Sequence, residues 1–153
     1  MNILFVCTGN TCRSPLAEAI LKNKNEKNIN VKSVGVFATE GANTSWQANE
    51  VLRENDIHFD HQSKMLTVED VEWATYIFTM TKGHKELLIN KMPQANDKAY
   101  TLKEFVLERN ENIDVPDPFG GSIDLYRETF NELQTLIEQM LEKLRRNDSL
   151  YNN

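Results

Sequence analysis

Three observations predict an α/β fold: a four-stranded parallel sheet with helices on both faces, and therefore three layers. Four short runs read as strands, at 3–6, 31–37, 76–80 and 98–102. Segments with helical spacing lie between them, and neighbouring parallel strands need such crossovers. The chain has 153 residues, 40% of them hydrophobic, enough for one core and one domain over 1–153.

Each element has a local reason. Ile3-Leu4-Phe5-Val6 is wholly apolar, as suits a strand buried on both faces. Ser14-Pro15 opens a helix to about 27. Proline fits a first helical turn, and Leu16, Ala17, Ile20 and Leu21 share one face. The second strand, 31–37, contains Gly35. Thr44-Ser45-Trp46-Gln47 has the form of a capping box before a helix to about 54. Thr67-Val68-Glu69-Asp70 reads as another helix start, 76–80 as the third strand and 81–90 as a helix. The fourth strand, 98–102, is of mixed composition. In a last helix over 123–146, Leu133, Leu136, Ile137, Met140, Leu141 and Leu144 keep helical spacing and belong to the core. The polar end, 147–153, is expected to fray.

The segment Val6-Cys7-Thr8-Gly9-Asn10-Thr11-Cys12-Arg13-Ser14-Pro15 carries the chemistry. A loop between a strand end and a helix start points backbone N–H groups into one space, which the helix dipole makes anion-seeking. Gly9 is expected to allow the tight backbone of such a cradle. Arg13 adds a planar, permanently charged fork suited to phosphate. Cys7 then sits under a bound phosphoryl group as the nucleophile, its thiol depressed into the range of roughly 3.5–7.5 found at electropositive cysteine sites. Thr8, Gly9, Asn10, Thr11, Cys12, Arg13 and Ser14 are the candidate phosphate-binding residues, in a phosphate-binding loop after the first strand.

Composition excludes several alternatives. A net charge of −6 argues against a broad nucleic-acid-binding surface. No stretch is long and apolar enough to span a membrane, and the N-terminal apolar run is too short for a signal peptide and lacks a basic leader. Two cysteines without a secretory signal point to the reducing cytoplasm. Cys7 and Cys12 alone cannot complete a four-ligand zinc site, and His58, His61 and His84 show no ligand spacing. No metal and no other cofactor is therefore expected, and the three histidines read as surface or turn positions.

A second constellation is Asp114-Val115-Pro116-Asp117-Pro118-Phe119-Gly120-Gly121. Its prolines and glycines forbid a helix and stiffen the loop. Such a loop can place a carboxylic acid over a phosphate pocket, to protonate a leaving group and then activate water. It can equally be a solvent loop with turn-forming aspartates. The residue pattern leaves that choice open, and also the choice between Asp114 and Asp117.

Over nearly its whole length the sequence resembles the low-molecular-weight protein tyrosine phosphatases, on the 6–15 segment and on Asp117-Pro118-Phe119. The resemblance implies that Cys7 is the nucleophile, Arg13 the phosphate clamp and Asp117 the general acid, then the general base. It further implies that Ser14 hydrogen-bonds the Cys7 sulfur and that Asn10 braces the loop. Thr11, where tyrosine phosphatases usually have an aliphatic residue, and Phe119-Gly120-Gly121, where aromatic residues often follow Asp-Pro, look like the protein-arginine phosphatase branch. Thr11 would hydrogen-bond the phosphoguanidinium, Phe119 would stack on it, and Phe37 resembles the opposite wall, although a core role fits it equally well.

The implied reaction is attack by Cys7 on phosphorus, a phosphocysteine intermediate, and its hydrolysis by water. The partners are phosphorylated proteins, with no nucleic acid and no membrane. Tyrosine phosphatase activity on the same machinery is the nearest alternative. Arsenate reduction needs cysteines downstream, and none follows Cys12. A phosphocysteine carrier is the alternative of another class, but it would have no need for Asp117. The presence of Cys7 and Cys12 in one loop also suggests a reversible disulfide under peroxide.

Overall fold

The computed structural model describes residues 1–151. Strand β1 (Asn2–Cys7) leads to helix α1 (Arg13–Asn23), then β2 (Asn30–Gly35), α2 (Trp46–Glu54), α3 (Val68–Trp73), β3 (Tyr76–Thr79), α4 (Lys82–Lys91), β4 (Ala99–Thr101), α5 (Leu102–Leu107) and α6 (Ile123–Tyr151). The four strands are parallel in the order β2-β1-β3-β4. This is the predicted α/β architecture.

Period-two alternation divides β1 between two cores. Ile3, Phe5 and Cys7 join the larger one with Leu16, Val51, Phe105 and the inner face of α6. Leu4 and Val6 join the smaller one with Val71 of α3 and Leu88 of α4. Helices thus cover both faces, as the unbroken apolar run of β1 requires. β1 pairs with β2 on one side, Cys7 opposite Gly35, and with β3 on the other, Val6 opposite Thr79. The strand order therefore reverses at β1. In open α/β sheets the ligand crevice forms beyond the carboxyl end of strands at such a switch point, and here that end is Cys7.

The structure differs from the sequence reading at several places. Helix α1 stops at Asn23 rather than 27, because the chain turns through left-handed Asn25 (φ 51°) and Asn28 (φ 69°); asparagine tolerates that conformation. Ser45, not Thr44, caps α2, accepting from the Ala48 N–H, while the Thr44 hydroxyl is buried without a partner. Helix α5 begins inside the strand expected across 98–102. Its start is a capping box in which Thr101 and Glu104 satisfy each other's backbone N–H groups. Helix α6 runs on to Tyr151, past the expected end at 146, and Asn152 and Asn153 lie outside the described residues. His84 is buried rather than a surface residue, for reasons that lie in the site. Among the described residues, no helix is long and apolar enough to cross a membrane.

Gly35 leaves room for the loop that leaves β1. A Cβ there would collide with the Thr8 carbonyl oxygen and approach the Asn10 nitrogen to 3.0 Å. Both neighbours are backbone, so neither can swing away. Gly35→Ala is expected to destabilise the fold by about 1–3 kcal/mol, as overpacking does, lowering Tm by roughly 2–12 °C for a chain of this length. Thermal unfolding followed by circular dichroism checks this, and an unchanged Tm would mean that the loop yields freely.

Candidate active site

The loop from Thr8 to Cys12 is shaped by donors that hold its carbonyl groups outward. The Cys7 carbonyl accepts from the Val36 N–H (2.9 Å), the Thr8 carbonyl from the Phe37 N–H (3.0 Å) and the Thr11 carbonyl from the Ser45 N–H (3.0 Å). His61 Nε2 lies 3.0 Å from the Asn10 carbonyl; a carbonyl only accepts, so Nε2 carries the proton. In a planar trans peptide the N–H points opposite to the C=O. The N–H groups of Thr8, Gly9, Thr11 and Cys12 therefore turn the other way. Cys7, Thr8, Gly9, Thr11, Cys12, Arg13, Asp117 and Phe119 line a pocket of about 230 Å³ there. Such a nest of N–H groups at the start of a helix is suited to an anion.

Asn10, not Gly9, takes the strained conformation. Asn10 has φ 57° and is fully buried, whereas a Cβ on Gly9 would meet only Thr11 Oγ1, at 3.7 Å. The Asn10 amide donates to Ser14 Oγ (2.8 Å) and Ser33 Oγ (2.9 Å) and accepts from the Lys64 N–H (3.0 Å). Three hydrogen bonds, each worth on the order of 1 kcal/mol, outweigh the cost of a left-handed residue.

Ser14 Oγ stands 2.8 Å from Cys7 Sγ. Asn10 donates to the same oxygen, and the Ser14 hydroxyl can donate its hydrogen to a Cys7 thiolate. Burial nevertheless pushes the Cys7 thiol up from its ordinary value. The Ser14 hydroxyl, the Ser14 N–H, the Arg13 charge and the Asn10 N–H pull it down without offsetting burial. This corrects the expected depression: the sulfur sits on the pocket floor, 2% exposed, where water cannot solvate a thiolate.

Arg13 is buried. Its Nη1 donates to the Val115 carbonyl (3.0 Å) and its Nη2 lies 3.6 Å from Asp117 Oδ2. The two acids of the proline-rich loop are separated by role. Asp117 is on the pocket wall and half exposed, its Oδ1 accepting from the Phe119 N–H (3.0 Å) in an Asx turn. Asp114 lies outside that pocket and accepts from the Lys82 N–H (2.8 Å) at the start of α4. Phe119 is 76% exposed at the mouth. Phe37 is neither core nor pocket wall: its ring is exposed, 4.8 Å from the Lys91 amine. Cys7 and Cys12 are both free thiols, and Cys12 Sγ lies 3.2 Å from the Tyr126 hydroxyl of α6.

The structure thus brings Cys7, Arg13, Asp117 and residues 8–14 together. Ser33, Ser45, His61, His84 and Tyr126 are further residues that shape the loop. Ser45 leaves a trace in the sequence, as part of the Thr44-Ser45-Trp46-Gln47 cap signature, and the other four leave none. His84 Nε2 contacts Thr8 Oγ1 at 2.7 Å, and burial and Arg13 push its imidazole down to about 4, against Asp114 and Asp117.

The sequence matches the family described as low molecular weight phosphotyrosine protein phosphatase over residues 2–150. It is 50% identical to a protein-arginine-phosphatase of Geobacillus stearothermophilus across 93% of this chain and 95% of that one. It is 42% identical to the low molecular weight protein-tyrosine-phosphatase PtpB of Staphylococcus haemolyticus, across 92% and 97%. A solved structure of a YwlE arginine phosphatase mutant with a phosphorylated active site serine superposes with a TM-score of 0.92 at 42% identity, across 98% and 99% of the two chains.

Ser14→Ala removes the strongest opposition to burial, so the Cys7 thiol should rise further. At a given pH less thiolate is present. The expected result is that the rate of Cys7 alkylation by iodoacetamide reaches its midpoint at a higher pH than in the wild type. A midpoint that stays put or falls would remove Ser14 as a stabiliser of the thiolate.

Proposed function

Because the chain belongs to the low molecular weight phosphotyrosine protein phosphatase family, we propose that it is a cysteine-dependent protein phosphatase acting on phosphoarginine through a phosphocysteine intermediate. The observation that carries the arginine assignment is the Thr11 side chain in the wall of the Cys7 pocket. Its hydroxyl offers a phosphoguanidinium a hydrogen-bond acceptor that an aliphatic side chain cannot. The half-identical arginine phosphatase of Geobacillus stearothermophilus supports the same reading.

The phosphoryl oxygens lie in the nest of loop N–H groups, and the Arg13 fork shares their charge. Cys7 first gives its proton to water, and the thiolate, held by the Ser14 hydroxyl and the Arg13 charge, attacks phosphorus in line. The P–N bond breaks, Asp117 gives its proton to the departing nitrogen, and sulfur holds the phosphoryl group. Asp117, now a carboxylate, takes a proton from water. The hydroxide attacks phosphorus, the S–P bond breaks, and phosphate leaves with the thiolate restored. Ser14 stabilises that thiolate on departure. Phe119 stands at the mouth to stack on the guanidinium plane. The substrates are phosphorylated proteins, and two free thiols in the site suit a reducing compartment, the cytoplasm. Tyrosine phosphatase activity is the second reading, favoured by the likeness to PtpB.

Asp117→Asn should cost on the order of 10²–10⁴ in kcat on demanding leaving groups, and less on p-nitrophenyl phosphate, which needs little protonation. Asp114→Asn keeps an oxygen for the Lys82 N–H and should cost far less. Steady-state rates of both variants decide the assignment, and the reverse ranking would overturn it.

Thr11→Ile should lower kcat/KM on phosphoarginine peptides by about ten- to a hundredfold relative to phosphotyrosine peptides. That is the worth of a lost hydrogen bond to a charged partner, roughly 1.5–3 kcal/mol. Side-by-side kinetics of wild type and variant on both peptides test the proposed function. An unchanged ratio would leave a phosphatase without arginine preference, and a wild type inactive on both would remove the phosphatase reading.

A further inference from the structure

His84 is buried on the first turn of α4, 6% exposed, yet its Nδ1 has no hydrogen-bond partner. A buried polar nitrogen left unpaired costs stability. A proton on Nδ1 would be a buried donor without an acceptor. We therefore assign the proton to Nε2, which donates to Thr8 Oγ1 at 2.7 Å.

That bond closes a ring between the two loops of the site. Thr8 follows the nucleophile directly. His84 is fixed in turn by its own N–H on Thr81 Oγ1 (3.1 Å). In the same turn, the Lys82 N–H holds Asp114 Oδ1 (2.8 Å), and the Val115 N–H holds the Met80 carbonyl (2.8 Å). Arg13 Nη1 then returns from the Val115 carbonyl (3.0 Å) to the phosphate loop. The acid loop is thus tied to the phosphate loop by two routes, Arg13 on one side and α4 with His84 on the other. Asp117 is two residues beyond Val115 and has few contacts of its own, so its place over the pocket depends on the spacing these routes set.

We propose that His84 is a positioning residue, which through Thr8 fixes the separation of the phosphate loop and the acid loop and thereby places Asp117 over the leaving group. The inference rests on the phosphatase reading of the site. His84 stays neutral well below neutral pH, so it holds this role without bringing a second cation beside Arg13.

The test is a double-mutant cycle on the full-length protein, with phenyl phosphate as the demanding substrate and p-nitrophenyl phosphate as the undemanding one. His84→Ala should lower kcat on phenyl phosphate by about three- to tenfold, the worth of one hydrogen bond. KM should change little and p-nitrophenyl phosphate should lose less. His84→Gln, whose amide can still donate to Thr8, should recover most of the rate. In an Asp117→Asn background His84→Ala should cost nothing further, because there is no acid left to place. Should His84→Ala fail to fold, Thr8→Val breaks the same bond from an exposed residue of equal size and enters the same cycle. A loss that persists undiminished in the Asp117→Asn background, or that is equal on the two esters, overturns the inference. Absence of wild-type turnover on both esters and on the phosphoarginine and phosphotyrosine peptides overturns the phosphatase reading and this inference with it, whereas wild-type turnover with additive losses overturns the inference alone.

Discussion

A backbone loop binds an anion only if its N–H groups point one way, and that requires every carbonyl on the same peptides to be held the other way. Each carbonyl then needs a donor from elsewhere in the fold. Here the donors are the N–H groups of Val36, Phe37 and Ser45 and the imidazole of His61. Asn10 makes the arrangement possible. Its left-handed backbone turns the loop, and its buried amide binds the loop to β2 and to the 64 segment while orienting Ser14. Gly35 supplies the complementary emptiness, since any side chain there would occupy the space of the Thr8 carbonyl. The rest of the molecule is the scaffold that delivers these donors and that gap to the end of β1.

The same construction sets an electrostatic tension. The pocket floor must be dry for Arg13 and the N–H nest to act at full strength, because interactions between charges grow as water is excluded. Dryness is also what pushes the Cys7 thiol up. The structure answers with short-range donors on the sulfur rather than with exposure, and the Ser14 hydroxyl is the largest of them. The proline-rich loop works differently. Asp117 is half exposed, beside Arg13 but outside ideal pairing distance. Proton transfer benefits from such access, whereas nucleophile stabilisation does not.

Most of the frame is legible in the sequence, because each piece carries a local signature. The apolar run of β1, the Ser14-Pro15 start of α1, the Thr67-Val68-Glu69-Asp70 start of α3 and the period of α6 each reflect physics within a few residues. The same holds for Cys7 and Arg13, whose residue types and spacing point to phosphate chemistry, whereas only the resemblance to the phosphatase family separates Asp117 from Asp114. What stays hidden is what depends on distant partners. His61 and His84 have no ligand spacing and sit in unremarkable surroundings, and their roles come from carbonyl and hydroxyl groups 51 and 76 positions away. Gly9 misleads for a related reason. A glycine in a loop suggests a strained turn, but the strain falls on Asn10, where side-chain bonds to β2 and α1 can hold it. Helix α5 escapes a sequence reading despite its visible capping box, because the expected strand covers its first residue.

The remote origin of those donors bears on how the chain comes to life. The phosphate loop leaves the ribosome before most of the residues that hold it. Ser33, Phe37 and Ser45 follow soon after it, but His61, His84, Val115 and Tyr126 are made well after it. The full set of contacts around the loop exists only once α6 has been made and Tyr126 stands beside Cys12. Long-range closure of this kind raises contact order and slows folding. It also means that a prematurely terminated chain carries the nucleophile without the machinery that would make it a catalyst.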